Sequence, residues 1–308
     1  MMRVAVLCND RLGLPALQQL VQNRIIQAVA TSDRSPEMVA IMQQVSAQAG
    51  VPTQVFTKEN FEATLLAWIN QHKPDVVLVK TFPFRIPASA LTIPKYGFIN
   101  FHYAPLPAFR GSNPLFWMIK EGVTTGGVAV HQMNEKFDRG SVLFQQEVPF
   151  SPDHTFGMCV TQLAMTGAQL TVPLLQALQV GKLQPVPQSA DKQRWYGRPA
   201  PADFQIAWLR MDATEIKALA KACNPWMKGA HVNYKGWIFT LTDVTVLEKE
   251  IPRDTLPGTI LNLSQTEGLI IACKNATVIR AEVIYTEEGY FPGHALVQFG
   301  LKAGDRLM

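Results

Sequence analysis

The first hundred residues alternate short, valine-rich segments with helical patterns, and this alternation constrains the fold more than any other feature. The segments Arg3–Cys8, Ile25–Thr31 and Asp75–Lys80 are apolar in nearly every interior position. Strands that are apolar on both faces are typical of a parallel sheet with both faces covered. Helical patterns at Ser35–Ala49 and Glu59–Gln71 lie between them. We therefore predict an open, mostly parallel α/β sheet of the Rossmann-like kind.

The pattern changes after a further short strand at Gly97–Phe101. Gly127–Met133 and Ser141–Phe150 have the composition of strands, and the link between them is too short for a helical crossover. We therefore expect these two strands to pair antiparallel. A long helix is predicted at Thr155–Val180, with Pro173 expected to kink it.

The segment 182–203 contains four prolines and shows little periodicity, which favours a linker. Short apolar runs bounded by turn residues follow it, and they predict a small OB-like β-barrel. We therefore predict a catalytic domain over residues 1–181, a linker over 182–203 and a C-terminal domain over 204–308.

Charge and cysteine content exclude several classes of protein. The net charge is +4, with +5 in residues 1–199 and −1 in residues 200–308, so the C-terminal domain is not a basic arm. The four cysteines are far apart and form no metal or redox motif, and we expect no bound metal. No apolar run reaches the roughly 18 residues of a membrane helix. We expect a cytoplasmic protein with neither a membrane nor DNA as its partner.

Glycine-rich nucleotide loops, HExxH and GxSxG are absent from the sequence, so the chemistry must lie elsewhere. Asn100 and His102 are two residues apart in a predicted strand, and they therefore point to the same side. The carboxyl end of such a strand is where open α/β sheets bind ligands. Asp138 lies in the link between the two antiparallel strands. The other histidines, His131 among them, are interpreted as structural.

Together these residues resemble the motifs of the 10-formyltetrahydrofolate-dependent formyltransferases. The matching elements are Asn100-Phe101-His102, then Pro105-Leu106-Pro107 with Arg110-Gly111, and finally Asp138-Arg139-Gly140. The linker and C-terminal part are similar to those of the methionyl-tRNA formyltransferases in that family. The resemblance covers nearly the whole chain, and it implies the formyltransferase fold followed by a small barrel.

The resemblance also implies an activity, which is transfer of a formyl group from 10-formyltetrahydrofolate to an amine. Asn100 would donate a hydrogen bond to the developing oxyanion, His102 would stabilise that oxyanion or take the amine's proton, and Asp138 would hold His102. The residues expected to contact the folate are Phe84, Arg85, Ile86, Pro87, Pro107 and Met133. Phe84 and Ile86 are equally compatible with a plain core role. The residues expected near the acceptor are Arg110, Gly111, Ser112 and Asn113.

Two departures from the family pattern bear on the acceptor. The usual Ser-Leu-Leu-Pro of the folate loop is Ala104-Pro105-Leu106-Pro107 here, which changes the contacts of that loop. The basic insertion with which methionyl-tRNA formyltransferases grip tRNA is replaced by the short, nearly neutral segment Ala30–Met38. A small or nucleotide-linked amine is therefore favoured over tRNA, since a polyanion requires several basic contacts.

Three alternatives remain at this stage. The chain could be a true methionyl-tRNA formyltransferase, a formyltetrahydrofolate deformylase that delivers the formyl group to water, or a non-catalytic folate-binding protein on the same fold. The intact Asn100, His102 and Asp138 argue against the last of these.

Overall fold

A computed structural model describes residues 2–308, which divide into two compact units. The N-terminal unit comprises the chain up to Pro114, Thr125–Pro149 and Val160–Tyr196, and the C-terminal unit comprises Leu115–Thr124, Phe150–Cys159 and Gly197–Met308. These boundaries differ from the predicted ones. Residues 182–196 of the expected linker belong to the N-terminal unit, and two short segments of the expected catalytic domain belong to the C-terminal unit.

Parallel strands form most of the main sheet in the N-terminal unit. The strands of this unit are β1 (Val4–Cys8), β2 (Ile26–Ser32), β3 (Thr53–Phe56), β4 (Val76–Lys80), β5 (Phe98–His102), the two-residue β6 (Arg110–Gly111), β7 (Thr125–Gln132), β8 (Val142–Pro149) and β9 (Trp195–Tyr196). The order within the main sheet is β3-β2-β1-β4-β5-β7-β8. β1 to β5 run parallel, while β7 pairs antiparallel with both β5 and β8, as predicted for the last pair.

The helices of the chain are α1 (Leu14–Gln22), α2 (Pro36–Ala47), α3 (Phe61–His72), α4 (Ala88–Leu91), α5 (Pro114–Lys120), α6 (Phe156–Gln179) and α7 (Ala213–Cys223). Ser35 caps α2 as its sequence suggests, because its hydroxyl accepts a hydrogen bond from the Met38 amide at 3.3 Å. Pro173 lies inside α6. Short 3₁₀ turns occupy Arg11–Gly13, Pro201–Phe204, Lys274–Ala276 and Gly293–Phe299.

The interior strands β1 and β4 are buried along their whole length. This is the burial that their unbroken apolar sequences predict for a covered parallel sheet. The edge strand β3 was not predicted. It has four residues, and only Phe56 is buried, so it carries almost no apolar pattern.

Helix α6 is long and apolar enough, by length and composition alone, to cross a membrane. Core helices of globular domains pass the same test, and 44% of its most apolar window is buried. Its Gly167 approaches the ring of Tyr103 so closely that a Cβ atom there would lie 2.9 Å from a ring carbon. The helix thus lies directly against the loop that follows β5.

The C-terminal unit contains one antiparallel sheet in the part of the chain that the structure describes. Its strands are β10 (Ala230–Tyr234), β11 (Trp237–Leu247), β12 (Ile260–Ser264), β13 (Gly268–Ala272), β14 (Val278–Thr286) and β15 (Gly289–Pro292). The order is β10-β11-β14-β13-β12, and β15 also pairs with β14. Helix α7 begins with a capping box in which Asp212 and Glu215 satisfy each other's amides.

Candidate active site

Strand β5 carries Asn100 and His102 to the carboxyl end of the parallel part of the sheet. The neighbouring strand β7 lies antiparallel to it, and this register places His131 directly opposite Asn100. Asp138 follows in the loop between β7 and β8. The three predicted residues and His131 therefore form one cluster, and the link between them is the Asp138 carboxylate.

His102 is almost completely buried, at 6% exposure. Its Nε2 lies 2.6 Å from the Phe109 carbonyl oxygen. Because a carbonyl can only accept, Nε2 carries the proton in the neutral ring and Nδ1 keeps a lone pair. Nδ1 faces Oδ1 of Asp138 at 3.7 Å. Burial lowers the pKa of His102 below its ordinary value of 6.5, although the Asp138 carboxylate acts in the opposite direction. The ring is therefore a neutral base near pH 7.

His131 is buried on β7 and is bonded to Asn100, which the sequence interpretation missed. Its Nδ1 lies 2.9 Å from the Gln132 carbonyl oxygen, so Nδ1 is the protonated nitrogen. Its Nε2 lies 3.1 Å from Nδ2 of Asn100 and 3.7 Å from Oδ1 of Asp138. The antiparallel register of β5 and β7 was the signal that would have placed it here.

Asp138 holds its carboxylate in the charged form. Burial alone would raise the pKa of Asp138, but positive charge on His102 or His131 and the bond from the Gly111 amide lower it well below its usual range. The Gly111 amide donates to Oδ2 at 2.9 Å. Asp138 is thus an anion fixed between two imidazoles, which suits it to stabilise a positive charge that develops on His102.

The two glycines of the motifs are required by close backbone approaches. A Cβ atom on Gly140 would overlap the Gln132 carbonyl oxygen, and one on Gly111 would overlap that of Tyr196. Gly111 also has a φ of 107°, which favours glycine. Gly140 therefore lets the turn that carries Asp138 lie against β7, and Gly111 lets β6 lie against β9, at distances that any side chain would prevent.

Arg110 is buried beside the site. It is 5% exposed, and its guanidinium donates to the side-chain oxygens of Gln188 and Gln193. These bonds involve all three of its side-chain nitrogen atoms, and its contact with an acceptor stays a prediction. Ser112 and Asn113 are exposed next to it, and the Ser112 amide donates to Tyr196.

The residues predicted to contact folate fall into two groups. Phe84 and Ile86 are buried in the core cluster that covers one face of the sheet, and Met133 is packed against that cluster. Pro87 and Pro107 are half-buried, and Arg85 is exposed. The Arg85 guanidinium donates to the Glu135 carbonyl and lies 5.7 Å from the centre of the Phe137 ring.

A cavity of about 30 Å³ lies where these residues meet the catalytic cluster. Its lining includes the apolar side chains of Ile86, Met133 and Phe137, together with His131 and Asp138. Arg85, Asn134, Glu135 and Lys136 complete the lining, so three apolar side chains stand among six polar or charged ones.

Residues 2–308 contain no group of three or more His, Cys, Asp and Glu side chains arranged to hold a metal ion. The arrangement of Asn100, His102 and Asp138 contains the groups that acyl transfer uses. It supplies a hydrogen-bond donor for an oxyanion, a neutral base and a fixed anion to balance the protonated base.

The chain matches known proteins in both of its parts. The model of the formyl transferase family matches residues 2–175, and that of the formyl transferase C-terminal domain matches residues 200–289. The methionyl-tRNA formyltransferase of Geobacillus sp. strain WCH70 is 30% identical over 91% of this chain and 88% of its own length. That of Clostridium botulinum strain Alaska E43 is 27% identical over 96% and 97%.

A solved structure shows the same fold. It is an N-formyltransferase from Helicobacter canadensis in complex with folinic acid and dTDP-3-aminofucose. It superposes with a TM-score of 0.68 at 14% identity and covers 91% of this chain and 99% of its own. The chain belongs to the formyl transferase family, as a 10-formyltetrahydrofolate-dependent enzyme most like the methionyl-tRNA formyltransferases.

Proposed function

We propose that this formyltransferase delivers the formyl group to a small or nucleotide-linked primary amine. The observation that carries the proposal is the connection between β2 and α2, which is only Asp33, Arg34 and Ser35. One acidic and one basic residue leave it neutral, and the Arg34 guanidinium lies over the Phe84 ring at 5.1 Å. The family resemblance places the basic tRNA-gripping insertion in this connection. The net charge of −1 over residues 200–308 supports the same acceptor class.

Asn100 supplies the electrophilic side of the reaction. When the amine attacks the formyl carbon, negative charge develops on the formyl oxygen. One Nδ2 hydrogen of Asn100 is used by His131, and the second is available for that oxygen. A single oriented donor of this kind is worth roughly 2.7–4 kcal/mol of the activation free energy.

His102 supplies the basic side. The attacking amine must lose a proton as its nitrogen becomes an amide, and Nδ1 of His102 has the free lone pair that can take it. The resulting imidazolium keeps its Nε2 bond to Phe109 and gains the Asp138 carboxylate as its counter-charge. His102 then returns the proton to the departing folate nitrogen.

The donor's folate ring fits the cleft by its chemistry. Ile86, Met133 and Phe137 would contact the flat ring, and the backbone of the Met133–Asp138 loop would offer hydrogen bonds to its polar edge. His131 and Asp138 line the cleft, and Asn100 is bonded to His131, so the formyl group would point toward them.

A second acceptor has specific support. The two methionyl-tRNA formyltransferases described above align with 91% and 96% of this chain, which includes the C-terminal part. Methionyl-tRNA therefore belongs in the test as the rival of the small amine. A deformylase would use water and need no acceptor.

The deciding experiment follows the ultraviolet change as 10-formyltetrahydrofolate becomes tetrahydrofolate. It compares methionyl-tRNA, aminated nucleotide sugars, hydroxylated ornithine-type amines and no acceptor, with His102→Ala as the inactive control. We expect turnover with a small amine and a weak dependence of kcat/KM on salt. Turnover with tRNA that falls steeply with salt would overturn the proposed acceptor, and turnover without any acceptor would indicate a deformylase.

A further inference from the structure

Gln188 lies in the proline-rich segment predicted to be a linker, yet its side-chain amide reaches the catalytic loop. Nε2 donates to the carbonyl oxygen of Asp138 at 2.8 Å and to that of Gly140 at 2.7 Å. These carbonyls lie on either side of Arg139. Gln188 is 50 residues from Asp138 in sequence, so this contact is tertiary and ties a distant segment to the turn that carries the catalytic carboxylate.

Arg110 fixes which way the Gln188 amide points. Its Nε and Nη2 atoms donate to Oε1 of Gln188 at 3.0 and 2.6 Å. A guanidinium has donors only, so it selects the oxygen of the amide and turns the NH₂ group toward the two carbonyls. The remaining Nη1 of Arg110 donates to Gln193 at 2.8 Å. The buried Arg110 therefore acts on Asp138 through Gln188.

Asp138 needs such support because its backbone conformation is uncommon. Its φ of 52° lies in the left-handed region, which residues with a side chain adopt uncommonly, although aspartate does so more often than most. Gln188 holds the main chain of the turn, and the Gly111 amide holds Oδ2 of the carboxylate. Gly111 directly follows Arg110. This dipeptide therefore holds the Asp138 carboxylate directly, through the Gly111 amide, and the Asp138 carbonyl indirectly, through Gln188.

We propose that Gln188 is a positioning residue that holds the Asp138 carboxylate beside His102. This inference rests on the proposed function, in which Asp138 balances the charge that His102 acquires. The distance that Gln188 would maintain is the 3.7 Å between Oδ1 of Asp138 and Nδ1 of His102. When Gln188 loses its two hydrogen bonds, the turn relaxes and the carboxylate moves away from the imidazole.

The test uses three variants of the full chain. Gln188→Leu removes both the donor and the acceptor of the amide, and Gln188→Glu keeps a partner for Arg110 but turns an oxygen toward the two carbonyls. Gln193→Leu is the matched control, because Gln193 also binds Arg110 and makes no hydrogen bond to the Asp138 turn. Far-ultraviolet circular dichroism and thermal unfolding report whether each variant is folded.

Two readouts separate positioning from mere stability. The first is kcat with the accepted amine, which we expect to fall about 10- to 100-fold in both Gln188 variants, as for other residues that orient a catalytic group. The second is the pKa of His102, followed by NMR titration of its ring without any substrate. The groups that face this ring are Asp138, His131 and Arg110. As the carboxylate moves away in Gln188→Leu, this pKa should shift down, as in Asp138→Asn. In Gln188→Glu the new carboxylate on Arg110 acts in the opposite direction, so the pKa readout is taken from Gln188→Leu.

Gln193→Leu should change neither readout. The proposal is overturned if folded Gln188→Leu keeps the wild-type pKa of His102, whatever its turnover. It is also overturned if Gln193→Leu lowers this pKa as much as Gln188→Leu does, because Arg110 alone would then be responsible. The titration needs no acceptor, so failure to find an acceptor for the wild-type enzyme contradicts the proposed function without affecting this result.

Discussion

Nδ2 of Asn100 lies 3.1 Å from Nε2 of His131, directly across the antiparallel register of β5 and β7. Since the other nitrogen of His131 donates to the Gln132 carbonyl, Nε2 offers a lone pair and can only accept. His131 therefore selects the NH₂ end of the Asn100 amide and turns it into the site. A buried histidine on one strand thus sets the orientation of the oxyanion donor on the next.

Loss of the Asn100 donor should lower kcat without unfolding the protein. In Asn100→Asp the side chain keeps its shape but offers only oxygens, so we expect kcat to fall by about 10²–10³ with a small change in KM for the folate. His131→Phe keeps the Asn100 donor but removes the group that orients it. We therefore expect a smaller loss of kcat than in Asn100→Asp. Steady-state kinetics on both variants check this order, and an Asn100→Asp enzyme with wild-type kcat would exclude Asn100 as the donor.

The pH dependence should follow the neutral form of His102. Burial holds the pKa of His102 below 6.5, so kcat/KM should stay level near pH 7 and fall only at pH values below 6.5. The Asp138 carboxylate raises this pKa, and Asp138→Asn should therefore move the acidic limb to lower pH while it reduces kcat. A limb that moves up in Asp138→Asn, or one that lies above pH 6.5 in the wild type, would contradict the assignment of His102 as the base.

The lowered pKa of His102 also makes the stability of the protein depend on pH. The unfolded chain binds a proton at His102 near pH 6.5, whereas the folded chain resists it, so the His102 contribution to the free energy of unfolding falls as the pH drops below that value.

The sheet could be predicted because its strands are apolar on both faces and its helices have regular patterns. Asn100 and His102 were proposed from their spacing within one strand, and Asp138 was proposed from the motif Asp138-Arg139-Gly140. The features that could not be predicted are those that depend on how distant strands align in the folded chain. His131 becomes visible as a site residue only when β7 is aligned against β5, and a four-residue edge strand such as β3 buries too little to leave a pattern.

The segment 182–203 shows the same limit more clearly. Its prolines correctly indicate irregular backbone, but irregular backbone need not be a free spacer. Trp195 and Tyr196 pair with Arg110 and Gly111, and Gln188 reaches the catalytic turn. No local pattern encodes these contacts, because each is made by a single side chain or by two residues of backbone.

Gly140 should not tolerate even one methyl group. In Gly140→Ala the new Cβ would overlap the Gln132 carbonyl oxygen, so the turn that carries Asp138 must shift. We expect a loss of about 1–3 kcal/mol in the free energy of unfolding, together with a large loss of kcat. Gly197→Ala is the matched control, since no atom lies within 4 Å of a Cβ atom there. Equal stability of the two variants by urea unfolding would show that the loop gives way freely.

Lys80 should give the protein a lower free energy of unfolding than an apolar residue of the same length would. It is fully buried at the end of β4, and burial lowers its pKa well below 10.5. Its Nζ donates to the Gly167 carbonyl and the Thr171 hydroxyl at 3.1 and 2.6 Å and lies over the Phe101 ring. The unfolded chain binds a proton at Lys80 below pH 10.5 that the folded chain resists, so this residue makes stability rise with pH.

Lys80→Met should therefore increase the free energy of unfolding by about 1 kcal/mol at pH 7, the low end for replacing a buried charged group by an apolar one. The Thr171 hydroxyl still donates to Gly167, so no acceptor there is left unpaired. Urea unfolding at pH 7 and pH 9.5 should show the gain shrinking at the higher pH. A variant that is less stable than the wild type by the same amount at both pH values would show instead that the hydrogen bonds of Nζ outweigh its desolvation.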